Sequence, residues 1–302
     1  MAEKQQHHEI RSCRLCGSAE LETILKLTPT PPANNLILKE DLERNFPVIP
    51  LEVGRCDNCY HLQLCHVVSP ELLFSNYLYV SSTSPVMIDH LTRQADNLAA
   101  KIKGASNTFV VEIGSNDGTL LHNFQRHGFR VLGIDPAEKI ATQAIASGVP
   151  TEVAFFNEDV AQRVAEKHGR AGLVCANHCF AHIDDIHSVV EGVKCLLDDS
   201  AEFVFEVGYL LDVYQNTLFD TIYHEHLDFH HVAPLVSFFE SHGMTLVHVE
   251  RHNIQGGALR GFVRLGKVAP CPSVAELLAV ENEAGINRKE TFKSFEKSIN
   301  YL

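Results

Sequence analysis

No apolar run in this sequence approaches the ~20 residues that a membrane-spanning helix requires. The opening MAEKQQHHEI mixes acids with bases, so neither a secretory signal nor a transit peptide is expected, and the default compartment is the cytosol. Positive charge is scarce: 25 Lys and Arg stand against 38 Asp and Glu, a formal net charge of −13. With no Lys/Arg stripe to offset it, that balance argues against nucleic acid and anionic membranes as partners. Internal repeats and low-complexity segments are missing too. So is the G-x-G-x-x-G turn of dinucleotide dehydrogenases, which counts against a nicotinamide cofactor.

What is present suits a globular protein: 302 residues, 45% hydrophobic, enough for about two domains. Oligomeric state is left open between monomer and dimer. Four of the nine cysteines form two C-x2-C pairs, Cys13 with Cys16 and Cys56 with Cys59. In a cytosolic chain such pairs read as zinc knuckles rather than disulfides. Two knuckles complete a closed tetrahedral four-sulfur site, which has no open position and therefore holds structure. His61, Cys65 and His66 lie near enough in sequence to substitute for one ligand.

The pattern along the chain divides it into a zinc-binding domain (1–84), a connecting helix (85–103), a central domain (104–268) and a helical, polar tail (269–302). Met87, Leu91, Ala95, Leu98 and Ile102 give the connecting helix its apolar stripe. Beyond Gly104, apolar β-rich runs at 108–113, 130–135, 151–156, 172–177 and 202–207 alternate with helical stretches near 119–127, 137–147, 158–168 and 184–197. That alternation implies an α/β doubly wound parallel sheet. A helix near 232–242 then precedes two strands, 245–250 and 258–265, with no helix between them. Such a hairpin completes a seven-stranded Rossmann-like sheet of the class I methyltransferase type.

The first strand runs into VVEIGSNDGTLL, a Gly-bearing turn at 110–121. Glu112, Gly114, Ser115, Asn116 and Gly118 make an acidic, carbonyl-rich loop, suited to a zwitterionic, phosphate-free ligand such as S-adenosylmethionine (SAM). Asp135 and Pro136 end the second strand, where a carboxylate can accept both ribose hydroxyls. Asn177, His178 and His182 follow the fourth strand, at the rim where open α/β sheets bind ligands.

The most unusual stretch is IYHEHLDFHH, 222–231, with four histidines in ten residues. As a loop over the cofactor it could be a metal site built on His224, His226 and His230 or Glu225, a solvated loop, or an acid/base centre. No complete ligand spacing is evident, and histidine is the side chain most easily tuned to take a proton near neutral pH. Elsewhere, Cys175, Cys179 and Cys195 read as core cysteines, His7 and His8 as a mobile tail, and Arg260 as a phosphate contact or a surface ion pair.

Together CRLCGS, CDNC, PPANNL, NYLYVSSTS, EIGSNDGTLL, GIDP, ANHCFAHIDD, YHEHL and QGGALR occur in order over nearly the whole chain. In this the sequence resembles the SAM-dependent sugar C-methyltransferases that act on nucleotide-linked 4-keto-deoxysugars. The resemblance implies methylation at C3, beside the C4 ketone. It also implies catalytic positions at Tyr223, Glu225, His226 and His182, and an acceptor side at Tyr77, Tyr79 and Asn177. His226 is expected as base, with Glu225 orienting it and Tyr223 or His182 bonding the developing oxyanion. Two departures accompany the match: Gln255 stands where the family often has His, and relatives usually continue into a second Rossmann-like lobe that helps to hold the nucleotide. A catalytically impaired SAM-binding module is therefore the alternative, with a sugar dehydrogenase or epimerase and an N- or O-methyltransferase as further readings.

Overall fold

The computed structural model describes residues 7–34, 39–41, 43, 47–75, 77–102 and 108–301. Asn35 and Leu36 of the PPANNL motif, and the 103/104 boundary, lie outside the described residues.

The N-terminal part is built on strands β1 (His7–Glu9), β2 (Leu21–Thr30), β3 (Ile49–Cys56), β4 (Leu62–Leu64) and β5 (His66–Val68), with a short helix α1 (Pro70–Phe74). His7 and His8 thus belong to a strand, paired with β5, because the backbone at 66–68 offers it a partner. Helix α2 (Pro85–Lys101) starts at Ser84, whose side chain accepts the Met87 N–H, with Pro85 in the first turn. Its buried face carries Met87, Leu91, Ala95 and Leu98, as the sequence period requires, plus His90 and Gln94.

The central part alternates β6 (Phe109–Ile113), α3 (Thr119–Arg126), β7 (Arg130–Asp135), α4 (Glu138–Ala146), β8 (Thr151–Val153), α5 (Glu158–His168), β9 (Ala171–Asn177), α6 (Ile186–Leu196) and β10 (Leu197–Gly208). After these come α7 (Leu210–Gln215), β11 (Asp228–Phe229), α8 (Val232–Ser241), β12 (Met244–His252) and β13 (Ala258–Leu265). The seven-stranded sheet runs β12-β13-β10-β9-β6-β7-β8, parallel except for the β12–β13 hairpin, where β13 pairs antiparallel with β10. The order reverses between β6 and β9, so the carboxyl ends of those strands open the ligand crevice. Phe203 and Phe205 of β10 cluster with Phe180 and Phe239 at ring-centroid spacings of 5.3–6.4 Å.

Strand β11 joins β4, β3 and β2 in a second, antiparallel sheet, Asp228 facing Gln63 and Phe229 facing Leu62. Two residues of the histidine-rich decapeptide are thereby stitched into the N-terminal sheet. The expected helical tail holds two helices between 272 and 301 and is not simply polar. Its helices α9 (Pro272–Ala284) and α10 (Lys289–Tyr301) bury Val274, Phe292, Phe295 and Ile299. Glu281 accepts the Val232 and Ala233 N–H groups at 2.7 and 3.2 Å, capping α8, whose preceding residue His231 supplies no side-chain cap.

Candidate active site

The four sulfurs of Cys13, Cys16, Cys56 and Cys59 lie within 4.8 Å of one another, with Cys13–Cys59 at 3.5 Å and Cys16–Cys56 at 3.6 Å. A tetrahedron with Zn–S arms of about 2.3 Å has edges of about 3.8 Å, so the donor set and its spacing fit zinc. His61 is not needed as a ligand, since its Nε2 donates to Asp228 Oδ1 at 2.7 Å.

A cleft of about 1070 Å³ opens at the carboxyl ends of β6 and β9 and is lined by residues of both sheets. At its floor Gly114 has φ +65°, and a Cβ there would stand 2.7 Å from that of Cys179, so glycine keeps the turn tight. Asp135 accepts the Asn116 N–H through Oδ2 and the Ala137 N–H through Oδ1, both at 2.8 Å. Each oxygen keeps a second lone pair for a ligand hydroxyl. Glu112 is bonded on Oε1 by Asn177 at 3.3 Å, while its buried Oε2 has no partner among the described residues. Burial pushes this carboxyl well above the usual carboxylate range. An unpartnered carboxylate oxygen lining the cleft beside the glycine turn suits the ammonium end of SAM. The segment 77–81 docks on the same turn, since Asn116 donates to Tyr79 O and accepts from the Ser81 N–H, each at 2.9 Å.

Above this floor, His226 Nδ1 lies 2.7 Å from Thr221 O, and its Nε2 lies 2.9 Å from the Tyr223 hydroxyl. A carbonyl can only accept, so Nδ1 carries the hydrogen and Nε2 presents a lone pair. Burial lowers His226 to about 4. Its ring stacks on His182 at 5.0 Å, and His182 stacks on Phe74 at 5.8 Å. His182 is pushed well below its ordinary value by burial, then by His226 and His178. The decapeptide is not a uniform polar loop. Tyr223 and His226 line the cleft, whereas His224 turns away to Pro50 O at 3.3 Å. His230 is enclosed by Phe180 and His61. The metal set considered for the decapeptide is thus dispersed. Among the described residues the cysteines form the one cluster with metal-ligand geometry. Glu225 accepts from Asn34 at 2.7 Å and bonds Tyr77; the polar contacts of His226 go to Thr221 and Tyr223.

The zinc binding domain family matches residues 13–74, and the methyltransferase domain family matches residues 84–249. The C-methyltransferase NovU of Streptomyces niveus is 38% identical over 293 residues, covering 95% of this chain and 69% of that protein. The chain belongs to the SAM-dependent C-methyltransferases. Solved structures with a similar methyltransferase fold include magnesium protoporphyrin IX methyltransferase of Synechocystis PCC 6803 with bound SAH. It is 12% identical, with 63% of this chain and 90% of that one covered and a TM-score of 0.47. A SAM-dependent methyltransferase from Clostridium acetobutylicum is 10% identical over 60% of this chain and 92% of its own, with a TM-score of 0.47.

In this C-methyltransferase, SAM is the methyl donor, and the four-cysteine cluster lies in the zinc-binding domain with the geometry to hold the ion. No helix among the described residues is long and apolar enough to cross a membrane. Several site residues escaped sequence reasoning. Thr221 sets the His226 tautomer through its backbone, which no side-chain pattern reveals. Glu206, fully buried at the end of β10, holds His90 at 2.7 Å, His178 at 3.0 Å and Arg260 at 2.6 Å beneath the cleft. Arg260 is therefore a buried ion-pair partner, neither exposed nor free for phosphate. Cys175 is a core residue as expected, but Cys179 lines the cleft and donates to Ile113 O at 3.0 Å.

Proposed function

We propose that the chain transfers the methyl group of SAM to C3 of a nucleotide-activated 4-keto-deoxysugar, with His226 as the base. The observation that carries this reading is the free-base form of His226: hydrogen on Nδ1, lone pair on Nε2, at the edge of the cleft. SAM supplies an electrophilic methyl on sulfonium sulfur, and a sugar C–H is no nucleophile for it. Beside a ketone, the C3–H bond can break heterolytically. The proton goes to His226 Nε2 and the electron pair spreads onto the C4 oxygen. The carbanion then forms the new C–C bond as the methyl–sulfur bond breaks, and sulfur keeps that electron pair as a neutral thioether.

The acceptor displaces the Tyr223 hydroxyl from Nε2, which frees that hydroxyl to donate to the C4 oxygen as charge develops there. Burial, and the charge of Glu225, push the Tyr223 phenol upward, so it stays a donor. His182 backs the His226 ring by stacking. Glu225 orients Tyr77, which with Tyr79 and Asn177 forms the acceptor side. Glu112 and Asp135 hold the ammonium and ribose ends of SAM over Gly114, Ser115, Asn116 and Gly118, with Pro136 beside the adenosine.

The test is exchange of the C3 hydrogen of a dTDP-4-keto-deoxyhexose in deuterium oxide, followed by methyl transfer from SAM. Wild type should exchange and methylate, and His226→Asn should lose roughly 100-fold or more in both. Because burial lowers His226 to about 4, the base is unprotonated throughout pH 6–8, and its titration should leave the exchange rate flat over that range. SAM binding without exchange would leave a binding module; methylation undiminished in His226→Asn would point to N- or O-transfer.

A further inference from the structure

Arg14 lies inside the first cysteine knuckle, yet its side chain ends buried against Asp184, Leu227 and Asp228, residues of two loops that line the cleft. The guanidinium is 3% exposed. Its Nε donates to Asp184 Oδ1 at 3.0 Å, and its Nη1 donates to Asp228 Oδ1 at 2.8 Å and to Leu227 O at 3.2 Å. Asp184 is two residues beyond His182; Leu227 and Asp228 directly follow His226. One planar cation thus grips both loops whose imidazoles stack at 5.0 Å.

The anchoring of Arg14 is equally specific. Its N–H donates to Gln63 Oε1 at 2.7 Å, and its carbonyl accepts from His187 Nε2 at 3.0 Å. Cys13 and Cys16, on either side of Arg14 and Leu15, tie the backbone to the four-sulfur cluster. The ion pair is also not arranged as the strongest two-pronged one. Nη2 of Arg14 and Oδ2 of Asp228 are both buried without a hydrogen-bond partner among the described residues, although an Arg–carboxylate fork would use them. The guanidinium instead spreads over three acceptors on two loops. Without it, the direct polar link is Leu227 N–H to Ala181 O at 2.9 Å.

We infer that Arg14 is a positioning residue of the methyl-transfer site, clipping the His182 loop to the His226 loop from within the cysteine knuckle. It touches neither donor nor acceptor and acts through the placement of the two imidazoles. This rests on the proposed role of His226 for its effect on turnover, but not for its effect on geometry.

Arg14→Lys keeps the charge but replaces the rigid planar fork, whose Nε and Nη1 serve Asp184 and Asp228 separately, with a single nitrogen. In the zinc-loaded full chain we expect zinc content and SAM affinity within twofold of wild type. C3 exchange and kcat should fall roughly 10- to 100-fold, with KM little changed. The 15N-histidine spectrum gives a substrate-independent reading: the His226 Nδ1–H signal, protected by Thr221 O, should shift and exchange faster with water. A lysine variant that melts lower but keeps kcat and that signal would overturn the inference, because a merely structural pair has that signature. Wild type that fails to exchange C3 would sink the proposed reaction, while the Nδ1–H signal would still decide the role of Arg14. If Arg14→Lys does not fold, Asp184→Ala cuts one arm at a 38% exposed side chain and should move the same signal in the same direction. An unmoved signal there would overturn the inference too.

Discussion

At the scale of single residues, the site is governed by which buried polar atoms have partners. Glu112 Oε2 has none, and an unsatisfied acceptor in the cofactor cleft is worth keeping only if the ligand completes it. Glu112→Gln retains the shape but offers an amide group at or near the ammonium. SAM affinity measured by isothermal titration should fall roughly tenfold or more, the equivalent of about 1–3 kcal/mol for a lost charged hydrogen bond. The strand, glycine turn and strand end that carry Glu112, Gly114 and Asp135 were legible in the sequence because they are local patterns. The division of labour among Tyr223, Glu225 and His226 was not. It depends on Thr221 O, Asn34 and Tyr77, which lie in three other segments, so the expected Glu225–His226 pairing gives way to Glu225–Tyr77.

Among the elements, α8 shows how a helix can depend on a distant one. His231 precedes it without a side-chain cap, and Glu281 from α9 receives its first free N–H groups and the Tyr209 hydroxyl at 2.9 Å. Glu281→Ala should cost about 1–3 kcal/mol in urea unfolding, since buried donors lose their acceptor. Glu281→Gln should cost less. Most strands and helices of the central sheet follow from their apolar periods within a residue or two, except that β8 stops at Val153 and β10 begins at Leu197. By contrast, β11 did not announce itself. Two residues carry no period, and Asp228–Phe229 is a strand because β4 has a free edge beside it.

For the whole molecule, an acidic chain carries several buried neutral histidines. Burial lowers His226 to about 4 and His230 and His231 to about 3. The unfolded chain binds protons at these histidines from about pH 6.5 downward, while the folded chain does not until the lowered values are reached. Each therefore contributes stability that is complete above pH 6.5 and lost as pH falls toward 4 or 3, by about 1.4 kcal/mol per pH unit. Glu112, Glu225 and Glu281 work in the opposite direction, because burial raises them. A single substitution separates these contributions. Neither ring nitrogen of His230 has a hydrogen-bond partner among the described residues, and its ring already stacks on Phe180 at 5.6 Å. His230→Phe should flatten the fall of Tm between pH 7 and 5, and should raise Tm more at pH 5 than at pH 7.5. An unchanged slope would show that His230 is not a titrating contributor.

By itself the sequence determined what short-range pattern can encode: the paired cysteines, the glycine turn, the alternation of apolar strands with amphipathic helices, and the hairpin that ends the sheet. These depend on spacings of a few residues, where backbone geometry leaves few choices. Only the tertiary structure decided which histidine faces the cleft, which tautomer it holds, that Glu206 gathers His90, His178 and Arg260, and that a knuckle arginine reaches the loops bearing His182 and His226. Those contacts join residues up to about two hundred positions apart. Their energies come from burial and from satisfying polar groups. Neither quantity exists until the chain has folded.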